Sequence, residues 1–152
     1  MNDTLEDGNP NMNRRFIPGK TDDRELVDLA EFLRTYYTGY TVKRDWYVVF
    51  SSEDQYIRSQ EGQPKGGNYR HPDIIMFRGR HRGKVITARP DIIHELDGSI
   101  HDVHVLDTES RNSQYMNAGL PLSITTKSEI EKSIFDDAAQ KITESLKCRG
   151  LI

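Results

Sequence analysis

Apolar positions in this chain recur in two rhythms. Leu26, Leu29, Ala30, Leu33 and Tyr37 return at three- and four-residue intervals, which predicts an amphipathic helix over 23–37 with Gly39 as its stop. Asp22 and Glu25 have the spacing of a capping box at its start. Ile130, Ile134, Ala138, Ile142 and Leu146 predict a closing helix over 129–147, with Ser128 and Glu131 as a second capping box. Between the two, apolar and β-branched runs predict strands: TVKRDWYVVF at 41–50, HPDIIMF at 71–77, DIIHELD at 91–97 and LPLSIT at 120–125. VIT at 85–87 returns antiparallel after the basic turn RGRHRGK at 78–84. DTESRNSQYMNAG at 107–119 reads as a helix capped by Asp107 or Thr108 and stopped by Gly119. The polar, Gly-containing stretch 51–70 reads as one long loop. Helix, three or four strands, helix, strand, helix is the order of an α/β fold with a mixed sheet and helices on both faces.

Residues 1–21 are rich in Asn, Asp, Gly and Pro and carry no periodicity, so they read as a flexible tail, with 22–152 as a single domain. A formal charge of −3 with 30% charged residues excludes a protein that grips nucleic acid by overall positive charge, so such a contact needs a local basic patch. The one cysteine, Cys148, excludes an internal disulfide and a cysteine-based zinc site. No apolar run is long enough to span a membrane and no signal peptide is present, so no membrane partner and a cytoplasmic location are expected.

The candidate chemistry lies in carboxylates set within strand sequence. Side chains alternate faces along a strand, so Glu95 and Asp97 share one face, and His94 and Leu96 the other. If the strand of Asp73 is its neighbour, Asp73 meets Glu95 across the sheet. Carboxylates gathered between apolar flanks repel one another and need a compensating cation. Mg²⁺ suits oxygen ligands and keeps waters for a substrate phosphate, so Asp73, Glu95 and Asp97 are expected to hold it. The competing reading is a turn-forming Asp and a solvated E-x-D face. Asp91, in a second Pro-Asp pair, shares a face with Glu95 but lies roughly 13 Å along the strand, too far to share one ion.

His101, just past Gly98, would bind metal, bind phosphate or act as a general base, or is a loop histidine with no task. Arg78, Arg80, Arg82 and Lys84, with His81, reverse the local sign of an acidic chain, and suit phosphate contacts or a solvated hairpin turn. Arg58, Lys65 and Arg70, interleaved with Tyr56 and Tyr69, have the composition of a strand-gripping loop.

Taken together, Pro72-Asp73, then Glu95-x-Asp97, within that order of elements, resemble the PD-(D/E)xK, or restriction-endonuclease-like, nuclease superfamily. ELDGSIH followed by DTESRNSQYMNAGLPL is similar to a branch related to the very-short-patch repair endonuclease. That branch carries an E-x-D-G-x-x-H segment, an Asp- and Arg-bearing helix and a Gly step, here Glu95, Asp97, Gly98, His101, Asp107, Arg111 and Gly119. The resemblance covers roughly 22–146. It implies an αβββαβα core with a three- to five-stranded mixed sheet and Mg²⁺- or Mn²⁺-dependent hydrolysis of DNA phosphodiesters. It also implies an acidic residue of the first helix near the site, Glu25 ahead of Asp28 and Glu31, and phosphate contacts from Arg111. Two single-domain subunits would cut both strands, so a homodimer or a nicking monomer is expected. One departure stands out: the superfamily's lysine two positions after the strand carboxylate is Asp97 here. His101 or Lys84 would then supply the base or cation, or the domain is a non-catalytic nucleic-acid-binding or assembly module. A metal hydrolase built on His101 and His104 is a third class.

Overall fold

The structure is a computed structural model that describes residues 23–97, 105–126 and 134–152. Its elements in chain order are α1 (Asp23–Tyr36), β1 (Tyr40–Arg44), β2 (Tyr47–Phe50), a 3₁₀ turn (Ser52–Asp54), β3 (Tyr56–Gln60), β4 (Asn68–Arg70), β5 (Ile74–Arg78), β6 (Val85–Ile86), β7 (Ile92–Asp97), α2 (Val105–Asn117), β8 (Leu122–Thr126) and α3 (Ile134–Cys148). The mixed α and β content agrees with the fold class read from the sequence. The capping pairs around Asp22 and Ser128, and the tail 1–21, lie outside the described residues.

Two sheets form. The first has the order β1-β5-β7-β8, with β5 antiparallel to both neighbours and β8 parallel to β7. The second, β4-β2-β3-β6, is wholly antiparallel. Along β5 the side chains divide between two cores: Ile74 and Met76 pack with α1 and α3, while Ile75 and Phe77 pack with the second sheet and Tyr115 of α2. All four are fully buried, which is why this strand reads as an unbroken apolar run. The helical stripe of α1, from Leu26 to Tyr37, lies against the first of these cores. Arg34 fastens α1 to β1, its Nε and Nη2 donating to the Val42 carbonyl at 3.2 and 3.1 Å.

The structure corrects three readings. The run 41–50 is two strands in different sheets, not one. On a straight strand Val42 and Trp46 would share a face, yet Val42 packs with α1 and α3 while Trp46, Val48 and Phe50 pack in the second core. The chain changes sheets at Asp45, which takes a left-handed φ of 60°. Residues 51–70 are not a long loop, since they hold the 3₁₀ turn, β3 and β4. The alternation of β3 is inverted: Ser59 is fully buried and Ile57 is exposed. The Tyr56 hydroxyl supplies the compensating contacts, lying 3.1 Å from Ser59 Oγ and within 3.2 and 3.0 Å of the Ile86 and Ala88 carbonyls. Finally, β6 does return antiparallel, but to β3 in the second sheet rather than to β5.

Candidate active site

The pairing of β5 with β7 sets the site. Ile74 lies opposite His94, so Asp73, one residue before β5, comes level with Glu95. Its Oδ2 accepts the backbone N–H of Leu96 at 2.7 Å, filling a donor where the ladder runs out. The parity of β7 does the rest. Ile92, His94 and Leu96 turn towards α3, while Ile93, Glu95 and Asp97 turn towards α2.

α2 meets these carboxylates with Arg111 and Tyr115, one helical turn apart and therefore on one face. The Tyr115 hydroxyl donates to Glu95 Oε2 at 2.8 Å. Arg111 clasps Asp97 fork to fork, Nη1 to Oδ1 at 2.8 Å and Nη2 to Oδ2 at 3.0 Å, and its Nη1 stands 3.8 Å from Glu95 Oε1. The helix is held in place at its end by Gly119 at a φ of +72°, where the N–H of Leu120 bonds the Tyr115 carbonyl at 3.0 Å.

Burial decides the electrostatics. Glu95 is 5% exposed, and this desolvation, helped by the charge of Asp73, raises its pKa well above the usual carboxylate range against the opposing pull of Arg111 and Tyr115. Desolvation also raises Tyr115 well above the ordinary phenol range, followed by the charge of Glu95, so its hydroxyl stays a donor. Burial works against the charge of Arg111, but its hydrogen bond to Asp97 and the charges of Glu95 and Asp97 prevail and raise its pKa. On the reverse face, His94 is buried neutral between Ser123 Oγ at 2.5 Å and Thr125 Oγ1 at 3.0 Å, with its pKa lowered to about 3 by desolvation.

The fold thus brings together Asp73, Glu95, Asp97 and Arg111. Arg70 contacts the same helix, α2, its Nε donating to Gln114 Oε1 at 2.5 Å and its Nη1 3.8 Å from Asp107. The basic turn is elsewhere. Asp73 and Arg78 lie at opposite ends of β5, ~17 Å apart by strand rise. Arg80, Arg82 and Lys84 are exposed there, as is Arg78, whose backbone N–H is bound to Asp91 Oδ2 at 2.6 Å. Lys84 leads into β6, the edge of the second sheet opposite β4, and the cation beside Glu95 and Asp97 is Arg111. Glu25 sits in the first turn of α1 and its side chain lies outside the described residues, as do His101 and His104. Sequence reasoning missed Tyr115, although its spacing of four from Arg111 on a predicted helix was a usable signal.

Among the described residues no group of three or more carboxylate, imidazole or thiol side chains is gathered to hold a metal. Asp97 has Arg111 as its counter-charge. Asp73 and Glu95 are a chemically suitable pair for Mg²⁺, which takes one or two carboxylates and fills its remaining positions with water and phosphate. Among the described residues no helix is long and apolar enough to cross a membrane. Comparison with protein-family models, curated proteins and solved structures finds no match to this chain.

Proposed function

We propose that the chain is a Mg²⁺- or Mn²⁺-dependent nuclease of the restriction-endonuclease-like class, hydrolysing DNA phosphodiesters. The observation that carries this reading is the meeting of Asp73 with the buried Glu95 at the end of the β5–β7 ladder. Support comes also from the elements around the first sheet, which run helix, three strands, helix, strand, helix, the order that the resemblance implies. The neighbouring Asp73 carboxylate adds to the cost of ionising the buried Glu95, and a cation held by the two carboxylates would lower that cost. Asp73 and Glu95 would hold the ion. When bound, it lowers the pKa of a water and offsets charge building on the phosphate. Tyr115 fixes the Glu95 carboxyl, and Arg111 orients Asp97 at the site's edge. Arg70 is placed to reach a phosphate, and His101 is assigned to the attacking water on the resemblance alone. The basic turn would touch the DNA backbone ~17 Å away, beyond the scissile position. A homodimer would cut both strands, and a monomer would nick.

One observation favours the second reading, a nucleic-acid-binding or assembly module without turnover. Asp97 stands where a lysine is usual and is fully engaged by Arg111, which leaves two carboxylates. Nicking of supercoiled plasmid at low salt with Mg²⁺ or Mn²⁺ separates the two. The nuclease reading expects nicking by the native protein and none by Glu95→Ala; binding of the plasmid with no nicking by either protein supports the module.

A further inference from the structure

A cavity of about 290 Å³ opens between α2 on one side and β4 with the 3₁₀ turn on the other. Among the described residues every side chain lining it is polar, Asp54, Asn68, Arg70, Ser110, Gln114 and Asn117 among them. α2 carries both the cavity and the site: Arg111 and Tyr115 face β7, while Ser110, Gln114 and Asn117 form the next stripe round the helix.

Two features mark a built recess. Gln114 is 5% exposed and its amide is fixed at both ends, Oε1 accepting from Arg70 Nε at 2.5 Å and Nε2 donating to Asp54 Oδ1 at 3.2 Å. Asp54 is presented by a strained turn: Glu53 and Asp54 are consecutive non-glycine residues at φ of 66° and 60°, a conformation that costs free energy and persists where surroundings enforce it. Asn68 Nδ2 lies 3.4 Å from the same Asp54 oxygen.

The lining selects the ligand. No aliphatic or aromatic side chain among the described residues lines the cavity to take an apolar group, and the Arg70 guanidinium in the lining is offset by the Asp54 carboxylate. A carboxylate that accepts, amides that accept and donate, and hydroxyls that do both are complementary to the hydrogen-bonding edge of a nucleobase. A recess receives what projects, and a stacked base pair does not project; a nucleotide without a partner does. We propose that this cavity binds the base edge of an unpaired nucleotide next to the scissile phosphate, so that the protein selects duplexes interrupted by such a nucleotide. The placement beside a scissile phosphate rests on the nuclease reading.

The test is fluorescence anisotropy in divalent-free buffer, with a labelled, fully paired duplex and the same duplex carrying one bulged nucleotide. The native protein should bind the bulged duplex about tenfold more tightly, the scale of two or so hydrogen bonds. Asn68→Ala and Asn117→Ala, both at exposed positions, should each draw that ratio towards one. Equal affinity of the native protein for the two duplexes, or a ratio unchanged in both variants, overturns the proposal. If the duplexes bind equally and plasmid is still nicked, the cavity assignment falls and the nuclease reading stands. If neither duplex binds and no plasmid is nicked, both fall.

Discussion

Arg111 on α2 and Asp97 on β7 are joined by two parallel hydrogen bonds of 2.8 and 3.0 Å, with side chains only 15% and 21% exposed. The pair ties the crossover helix to the strand that precedes it and sets a fixed positive charge 3.8 Å from Glu95. Removing one partner strands the other. Arg111→Ala should cost about 3 to 5 kcal/mol in urea unfolding, and Arg111→Ala combined with Asp97→Ala should cost clearly less than the sum of the two. Additive losses would mean that the pair carries no coupling.

Tyr115 offers a finer probe. Tyr115→Phe keeps the buried ring and removes only the donor to Glu95 Oε2. A loss of about 1 to 3 kcal/mol is expected, the cost of an unsatisfied buried acceptor, with nicking reduced because the carboxyl is no longer held. Unfolding and nicking indistinguishable from the native protein would contradict the assigned role.

His94 predicts a pH dependence. Its folded pKa of about 3 lies below the ordinary 6.5, so below pH 6.5 the unfolded chain binds a proton that the folded chain does not. Stability should therefore fall as pH drops from about 6.5 towards 3, by about 1.4 kcal/mol per pH unit at most. Glu95 acts in the opposite sense, because its raised pKa lets the folded state keep a proton as pH climbs above 4.5. Comparing native protein with His94→Gln isolates the histidine. The variant should show the shallower loss on acidification, and equal slopes would refute the account.

The distance between the basic turn and the carboxylates makes a separable prediction. Arg80→Ala and Arg82→Ala should each weaken binding to duplex DNA and reduce the slope of log affinity against log salt by about one. Neither should alter divalent-ion affinity, since the turn lies at the far end of β5. A changed ion affinity in either variant would place the turn at the wrong end of the strand.

Much of the site was legible because it rests on local rules. Period two placed Glu95 and Asp97 on one face, and helical spacing found α1 to within a residue of its observed end. The losses came where structure depends on remote partners. β3 hides because its inward positions are Ser59 and Tyr56, whose polar groups are satisfied by each other and by β6 and the residues after it. The change of sheet at Asp45 has no periodic signature. The pairing of Arg111 with Asp97, fourteen residues away on β7, likewise left no local signature. Gln114 and Asp54 come together from positions sixty residues apart, which no local pattern records.

The central claim is that Asp73 and Glu95 together make a divalent-cation site. Titrating Mn²⁺ into the protein while following the free ion by electron paramagnetic resonance tests it most directly. The account predicts a site in the native protein that is lost in Asp73→Ala and in Glu95→Ala and retained in the basic-turn variant Arg80→Ala. Native protein that leaves Mn²⁺ free, or Asp73→Ala that binds it as the native protein does, would contradict the account.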